Sequence, residues 1–64
     1  MRVLIVGALG QLGTDLCREF ADTELFTADL DGGDHQVDIR NFAQVRRLIL
    51  GAVKPELVFN CAAA

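Results

Sequence analysis

Short unbroken apolar runs alternate along this chain with longer stretches in which apolar residues recur every three or four positions. Val3, Leu4, Ile5 and Val6 form the first run, and Gly7 closes it. Four consecutive apolar residues, three of them β-branched, suit a strand covered on both faces, as in a parallel sheet flanked by helices. From 11 to 21, Leu12, Leu16 and Phe20 recur every four positions, with Asp15, Arg18 and Glu19 mostly on the other side. That spacing predicts an amphipathic helix. Residues 24–28 predict a second strand with Asp29 at its carboxyl end, 30–34 with the Gly32-Gly33 pair predicts a turn, and 35–37 a short third strand. Asn41 stands three residues before Gln44, a polar variant of the capping box, and Phe42, Val45, Leu48, Ile49 and Ala52 continue at helical spacing. A second long helix is therefore expected. Pro55 cannot continue it, and Leu57, Val58 and Phe59 read as another buried strand ending at Asn60.

This order of elements specifies an α/β fold, a parallel sheet with flanking helices joined by right-handed crossovers. Composition narrows the class. With 52% hydrophobic and 23% charged residues, the chain is too apolar for disorder and too interrupted by charge for a membrane span. Its formal net charge of -3 would repel a phosphate backbone, which argues against nucleic acid as a partner. Cys17 and Cys61 lack zinc-ligand spacing and read as reduced, small buried hydrophobes, so a cytoplasmic protein without a metal site is expected. At 64 residues, the chain has about half the length of a usual domain.

The candidate chemistry lies in the glycine turn formed by Gly7, Ala8, Leu9, Gly10, Gln11, Leu12 and Gly13. A turn from a buried strand into a helix needs positive φ, close backbone approach and tight helix packing at defined points, and glycine permits each. Backbone N–H groups at the helix start can then hold a pyrophosphate without a basic side chain. The loop carries one residue more between its first two glycines than Gly-x-Gly-x-x-Gly, and no lysine follows as in a Walker loop. Asp29, 22 residues beyond Gly7, stands where a carboxylate accepts the hydroxyls of an adenosine ribose. With Leu30 and Asp31 following and no Arg or Lys in that turn, NADH is expected in preference to NADPH unless Arg2, Arg40 or a downstream residue folds back to alter the balance.

Gly7-x-x-Gly10-Gln11-Leu12-Gly13, then Asp29, then Asp38-Ile39, then the run from Pro55 through Asn60-Cys61-Ala62-Ala63 resembles the amino-terminal end of extended short-chain dehydrogenases/reductases, and within them the dTDP-4-dehydrorhamnose reductase family. The resemblance implies a Rossmann-like domain of which these residues are the N-terminal portion, with the rest of that domain and a substrate domain elsewhere. It implies that Gly7, Gly10 and Gly13 form the pyrophosphate turn and that Gln11 and Leu12 present backbone amides to phosphate. Asp29 would bind the adenosine ribose, Asp38 and Ile39 would flank the adenine, and Ala62 and Ala63 would line the cofactor near its nicotinamide-side ribose. It further implies an oxidoreductase acting on a nucleotide sugar, with NADPH as the alternative cofactor and room for a homodimer.

The catalytic Tyr and Lys of that family are not carried by this chain, which contains no tyrosine. Two other functions fit the same turn: an epimerase or dehydratase that cycles NAD within one turnover, and a non-catalytic dinucleotide-binding regulatory subunit. His35 is read as a surface residue and the Arg46-Arg47 pair as a solvated helix edge. The last strand is expected on the far side of the first strand from the second, leaving an open sheet edge and a segment that is not stable by itself.

Overall fold

The structure, a computed structural model, describes residues 1–62. Its centre is β1 (Arg2–Val6), which pairs in parallel with β2 (Glu24–Asp29) on one side and β4 (Leu57–Asn60) on the other. The two-residue β3 (His35–Gln36) pairs in parallel with β2, giving the order β3-β2-β1-β4. The α/β parallel sheet, its third strand and the position of the last strand are as the sequence predicts.

The unbroken apolar run of β1 is explained by this placement. Successive side chains point to opposite faces, and both faces are covered. Leu4 and Val6 pack with Ala28, Val37, Leu48 and Val53, whereas Val3 and Ile5 pack with Ala8 against the first helix. Val3, Leu4 and Ile5 are fully buried.

The first helix, α1 (Gln11–Glu19), ends two residues before the predicted boundary. Phe20 caps it, and the Phe20 carbonyl accepts both the Thr23 hydroxyl at 2.7 Å and the Thr23 backbone N–H at 3.0 Å, which turns the chain away. The buried stripe also differs from the expected one. Leu12 is 61% exposed, and the contact with the sheet runs through Gly13, Leu16, Cys17 and Phe20. Positions 13, 16, 17 and 20 share one helical face, and Leu12 lies about 100° around the axis from Gly13. Phe20 completes the stripe with its ring centroid 5.1 Å from that of Phe59. Cys17 and Cys61 are half-buried rather than buried, and burial pushes the Cys17 thiol pKa up, with smaller contributions from Cys61 and Asp34.

The second helix departs further from expectation. Asn41 accepts the Gln44 backbone N–H at 3.2 Å, but the Gln44 side chain accepts the Asp38 backbone N–H at 3.0 Å instead of returning to Asn41. Only half of the capping box forms. The α-helical part, α2 (Phe42–Arg47), is followed by a π-helical segment, Leu48–Val53, in which the Lys54 N–H reaches the Ile49 carbonyl at 3.0 Å. Leu48 and Val53 are both buried though five residues apart. In an α-helix they would lie about 140° apart, whereas the wider i→i+5 turn brings them towards one face. Phe42, expected on the inner face, is 75% exposed. Lys54 adopts a left-handed conformation, φ 51°, and Pro55 then prevents the helix from continuing.

β4 is a half-open strand rather than a buried one: Leu57 and Phe59 turn inward, while Val58 and Asn60 are exposed. Its outer edge has no strand partner among the described residues. His35 is half-buried, and Arg46 and Arg47 are exposed as expected. Among the described residues no helix is long and apolar enough to cross a membrane.

Two glycines separate packing from propensity. A Cβ on Gly13 would stand 2.2 Å from the Gly7 carbonyl oxygen and 2.7 Å from the Ala8 Cα, whereas one on the exposed Gly51 would meet nothing within 4 Å. Gly13→Ala is expected to destabilise the protein by about 1–3 kcal/mol. Gly51→Ala is expected to stabilise it by about 0.5–1 kcal/mol. Thermal unfolding should therefore show Tm shifts of opposite sign.

Candidate functional site

The carboxyl ends of β1 and β2 meet under the glycine turn. Gly7 and Ala8 donate their backbone N–H groups to the Ala28 carbonyl at 2.8 and 3.3 Å, which folds the chain over the end of β2. Gly7 has φ 77°, and a Cβ there would lie 2.5 Å from the Ala62 nitrogen, so conformation and space both require glycine. Gly10 is different. It is the N-cap of α1, it is exposed, and a Cβ on it would have only the Gly7 carbonyl oxygen nearby, at 3.6 Å. No side chain caps the α1 start, and Thr14 below it donates its hydroxyl to the Gly10 carbonyl at 2.7 Å. The first N–H groups of α1 therefore face a space that a ligand acceptor can enter.

Asp29 ties the next strand to this turn. One carboxylate oxygen accepts the Leu9 N–H at 3.0 Å, and the other accepts the Asp31 N–H at 3.3 Å. These backbone donors, Leu9 foremost, hold the Asp29 pKa below the ordinary carboxylate value. An ionised carboxylate has about four lone-pair sites, so acceptor capacity remains for a further donor. The turn after Asp29 is braced from below by a reciprocal pair. Thr27 donates its N–H to the Asp34 carboxylate, and Asp34 donates its N–H to the Thr27 hydroxyl, both at 2.9 Å.

Beyond β3, Asp38 and Arg40 form a fork. Arg40 donates Nε and Nη2 to the two Asp38 carboxylate oxygens at 3.0 and 2.8 Å, and its backbone N–H to the first of them at 2.9 Å. The side-chain bonds from Arg40, aided by its backbone N–H, lower the Asp38 pKa to about 2, and the same pairing raises that of Arg40.

These three pieces enclose one cavity of about 650 Å³. The size lies within the ~300–1,000 Å³ usual for small-molecule sites. Asp29, Leu30, Asp31, Asp38, Ile39 and Arg40 line its β2–β3 side, and Gly7, Gly10, Cys61 and Ala62 line the β1–β4 side.

The family model for the RmlD substrate binding domain matches residues 1–64. The chain belongs to this family. It is also 44% identical over 63 residues to a Streptomyces antibioticus protein described as a probable dTDP-4,6-dihydroxy-2-methyloxan-3-one 4-ketoreductase. That match covers 98% of this chain and 20% of the relative, so the chain spans about a fifth of the relative's length. No solved structure matches.

The RmlD-family match agrees with the resemblance carried by the glycine turn and the run from Pro55 onward. Of the residues singled out in the sequence, Gly7, Gly10, Asp29, Asp38, Ile39 and Ala62 line the one cavity. Gln11 and Leu12 stand exposed at the α1 start beside it, and Gly13 is buried beneath the turn. Ala63 lies outside the described residues. Sequence spacing did not single out Leu9, Leu30 or Cys61 as lining residues, although each adjoins a residue that it did. Arg40 enters the site through the loop beyond β3 and had no spacing signal.

The Asp38 pKa yields a pH prediction. Its folded value lies below the ordinary ~3.9, so the stability contributed by the fork is fully present above that value and is lost as pH falls through about 2. Carboxyl carbon NMR should show Asp38 titrating near 2. Arg40→Gln should return the midpoint towards ~3.9.

Proposed function

We propose that this chain is the N-terminal portion of the dinucleotide-binding domain of a longer nucleotide-sugar reductase, which binds NADH in preference to NADPH and reduces the 4-keto group of a dTDP-linked deoxysugar. The observation that carries the reading is the convergence of an uncapped helix start, an open Gly10 and the Asp29 carboxylate in one cavity. Each matches one part of a dinucleotide: the first two suit a pyrophosphate, and the carboxylate suits a ribose diol.

Gly7, Gly10 and Gly13 shape the turn, and the Gln11 and Leu12 amides bind the pyrophosphate. Asp29 accepts the adenosine ribose hydroxyls, Asp38 and Ile39 flank the adenine, and Ala62 and Ala63 extend the wall towards the nicotinamide. The bound dinucleotide supplies the hydride. The chain has no tyrosine, so the group that protonates the new alkoxide lies in the remainder of the protein, as does the nucleotide-sugar pocket. The 4-ketoreductase description of the relative favours a reductase over an epimerase, a dehydratase or a regulatory subunit. A cytoplasmic location and a homodimer belong to the same reading.

The cofactor preference has an electrostatic basis. Asp29 is half-buried, and its carboxylate is kept ionised by backbone donors, so a 2′-phosphate on the ribose would meet a like charge.

The test uses the full-length protein, titrated calorimetrically with NADH and NADPH and assayed for NADH oxidation with a dTDP-4-ketosugar. Gly10→Val should weaken NADH binding by about tenfold or more, because its side chain fills the turn's mouth. Asp29→Asn keeps an oxygen for the Leu9 N–H while removing the charge, and should shift the preference towards NADPH by about tenfold. NADH binding that neither variant alters would remove the assignment. Turnover of NADH without reduction at C4 would remove the reductase reading alone.

A further inference from the structure

Arg40 occupies a position that the NADH preference alone does not explain. The Val37 N–H donates to the Asp29 carbonyl at 2.9 Å, so the chain leaving β3 passes directly beside the residue assigned to the ribose. Arg40 follows three residues later and lines the same cavity as Asp29, Leu30 and Asp31. It is the one cationic side chain among the described lining residues, which also include the carboxylates of Asp29, Asp31 and Asp38. Arg2, the other arginine near the sheet core, sits at the opposite, amino end of β1. There its guanidinium lies 5.1 Å over the Phe26 ring, and its Nε is 3.1 Å from the Glu24 carboxylate without hydrogen-bond alignment.

The fork does not consume the guanidinium. Of its five N–H donors, one on Nε and one on Nη2 are taken by Asp38, which leaves three free on a side chain that is 81% exposed. Asp38 also accepts the Arg40 backbone N–H, so side chain and main chain are fixed together. The result is a planar cation held at the adenosine side of the cavity with unused donors, the kind of group that binds a phosphate bidentately at little cost in ordering.

We infer that Arg40, held by its fork with Asp38, is the specificity residue that admits a phosphate on the adenosine ribose, so that the site takes NADPH as its second cofactor despite Asp29. This rests on the dinucleotide reading of the cavity. Asp29 sets the preference for the free diol, and Arg40 limits how large that preference is. With Arg40 lost, the only charged groups on the cavity side that carries Asp29 would be carboxylates.

The test compares 2′,5′-ADP with 5′-AMP, which share adenosine and a single 5′ phosphate and differ only at the 2′ position. Binding to the full-length protein is measured by calorimetry at two salt concentrations. Arg40→Gln should lower the ratio of 2′,5′-ADP to 5′-AMP affinity about tenfold, and Arg40→Lys should recover part of it. The salt dependence of 2′,5′-ADP binding should flatten with the ratio. Because Arg40→Gln also leaves Asp38 unpaired, the double variant Asp38→Asn with Arg40→Gln separates contact from net charge. A ratio still below wild type supports direct contact, and a ratio restored to wild type overturns it. An unchanged ratio in Arg40→Gln, with 5′-AMP still bound, overturns the role of Arg40 and leaves the dinucleotide reading standing. Failure of wild type to bind either nucleotide overturns both.

Discussion

The passage of Gly13 beneath the Gly7–Ala8 turn is the contact on which this structure depends. With the Cβ position of residue 13 only 2.2 Å from the Gly7 carbonyl oxygen, the first turn of α1 lies against backbone with no side chain between. Only glycine allows that approach. It places the helix start at the carboxyl end of the central strand, sets Leu16, Cys17 and Phe20 over Val3 and Ile5, and leaves Gly10 facing outward. A helix one ångström further out would loosen the core on that face and withdraw the amide donors from the cavity. Packing and binding geometry thus share a single steric requirement.

The electrostatic character of the cavity follows from parallel pairing. All four strands present their carboxyl ends to the same edge, so residues far apart in sequence collect there from successive loops. Asp29 serves two partners at once: it braces the Leu9 amide, which keeps the glycine turn closed over β2, and retains lone pairs for a ligand. The Asp38–Arg40 fork counters part of the negative charge without cancelling it. A cavity balanced in this way distinguishes ligands by a single charge.

The architecture was legible in the chain because the relevant signals were strong and local. The run Val3-Leu4-Ile5-Val6 could be covered on both faces only at the centre of a parallel sheet, and three glycines between a strand and a helix marked the turn. What was not legible depended on tertiary context. Leu12 matched the four-residue spacing, yet Gly13, which contributes nothing to an apolar pattern, packs against the Gly7–Ala8 turn, and Leu12 is left outward. The π segment arises because Leu48 and Val53 both reach the core, a demand invisible in helical spacing. The reciprocal half of the capping box does not form because the Asn41 N–H is already donated to the Asp38 carbonyl at 2.9 Å, and the Gln44 side chain accepts the Asp38 N–H instead. Within the site, Asp29 could be placed by its distance from Gly7, whereas Arg40 belongs to a loop whose course is set by the Val37 bond to β2. No spacing rule connects residues joined in that way.

The strand order also bears on how the chain is made. Of the described strands β1 is made first, yet it is an inner strand with a neighbour on each side, and its second neighbour, β4, begins more than fifty residues later. Until Leu57 to Asn60 have left the ribosome, one flank of the central strand has no partner. At about 5–20 residues per second, that interval lasts several seconds. The Gly7–Gly13 hinge shortens the exposure on one face, because α1 needs only local chain to fold back over Val3 and Ile5. The opposite face, carrying Leu4 and Val6, waits for Leu48 and Val53. An apolar strand kept waiting is a natural client for a chaperone that binds short extended hydrophobic segments, and the two faces of β1 would compete unequally for it.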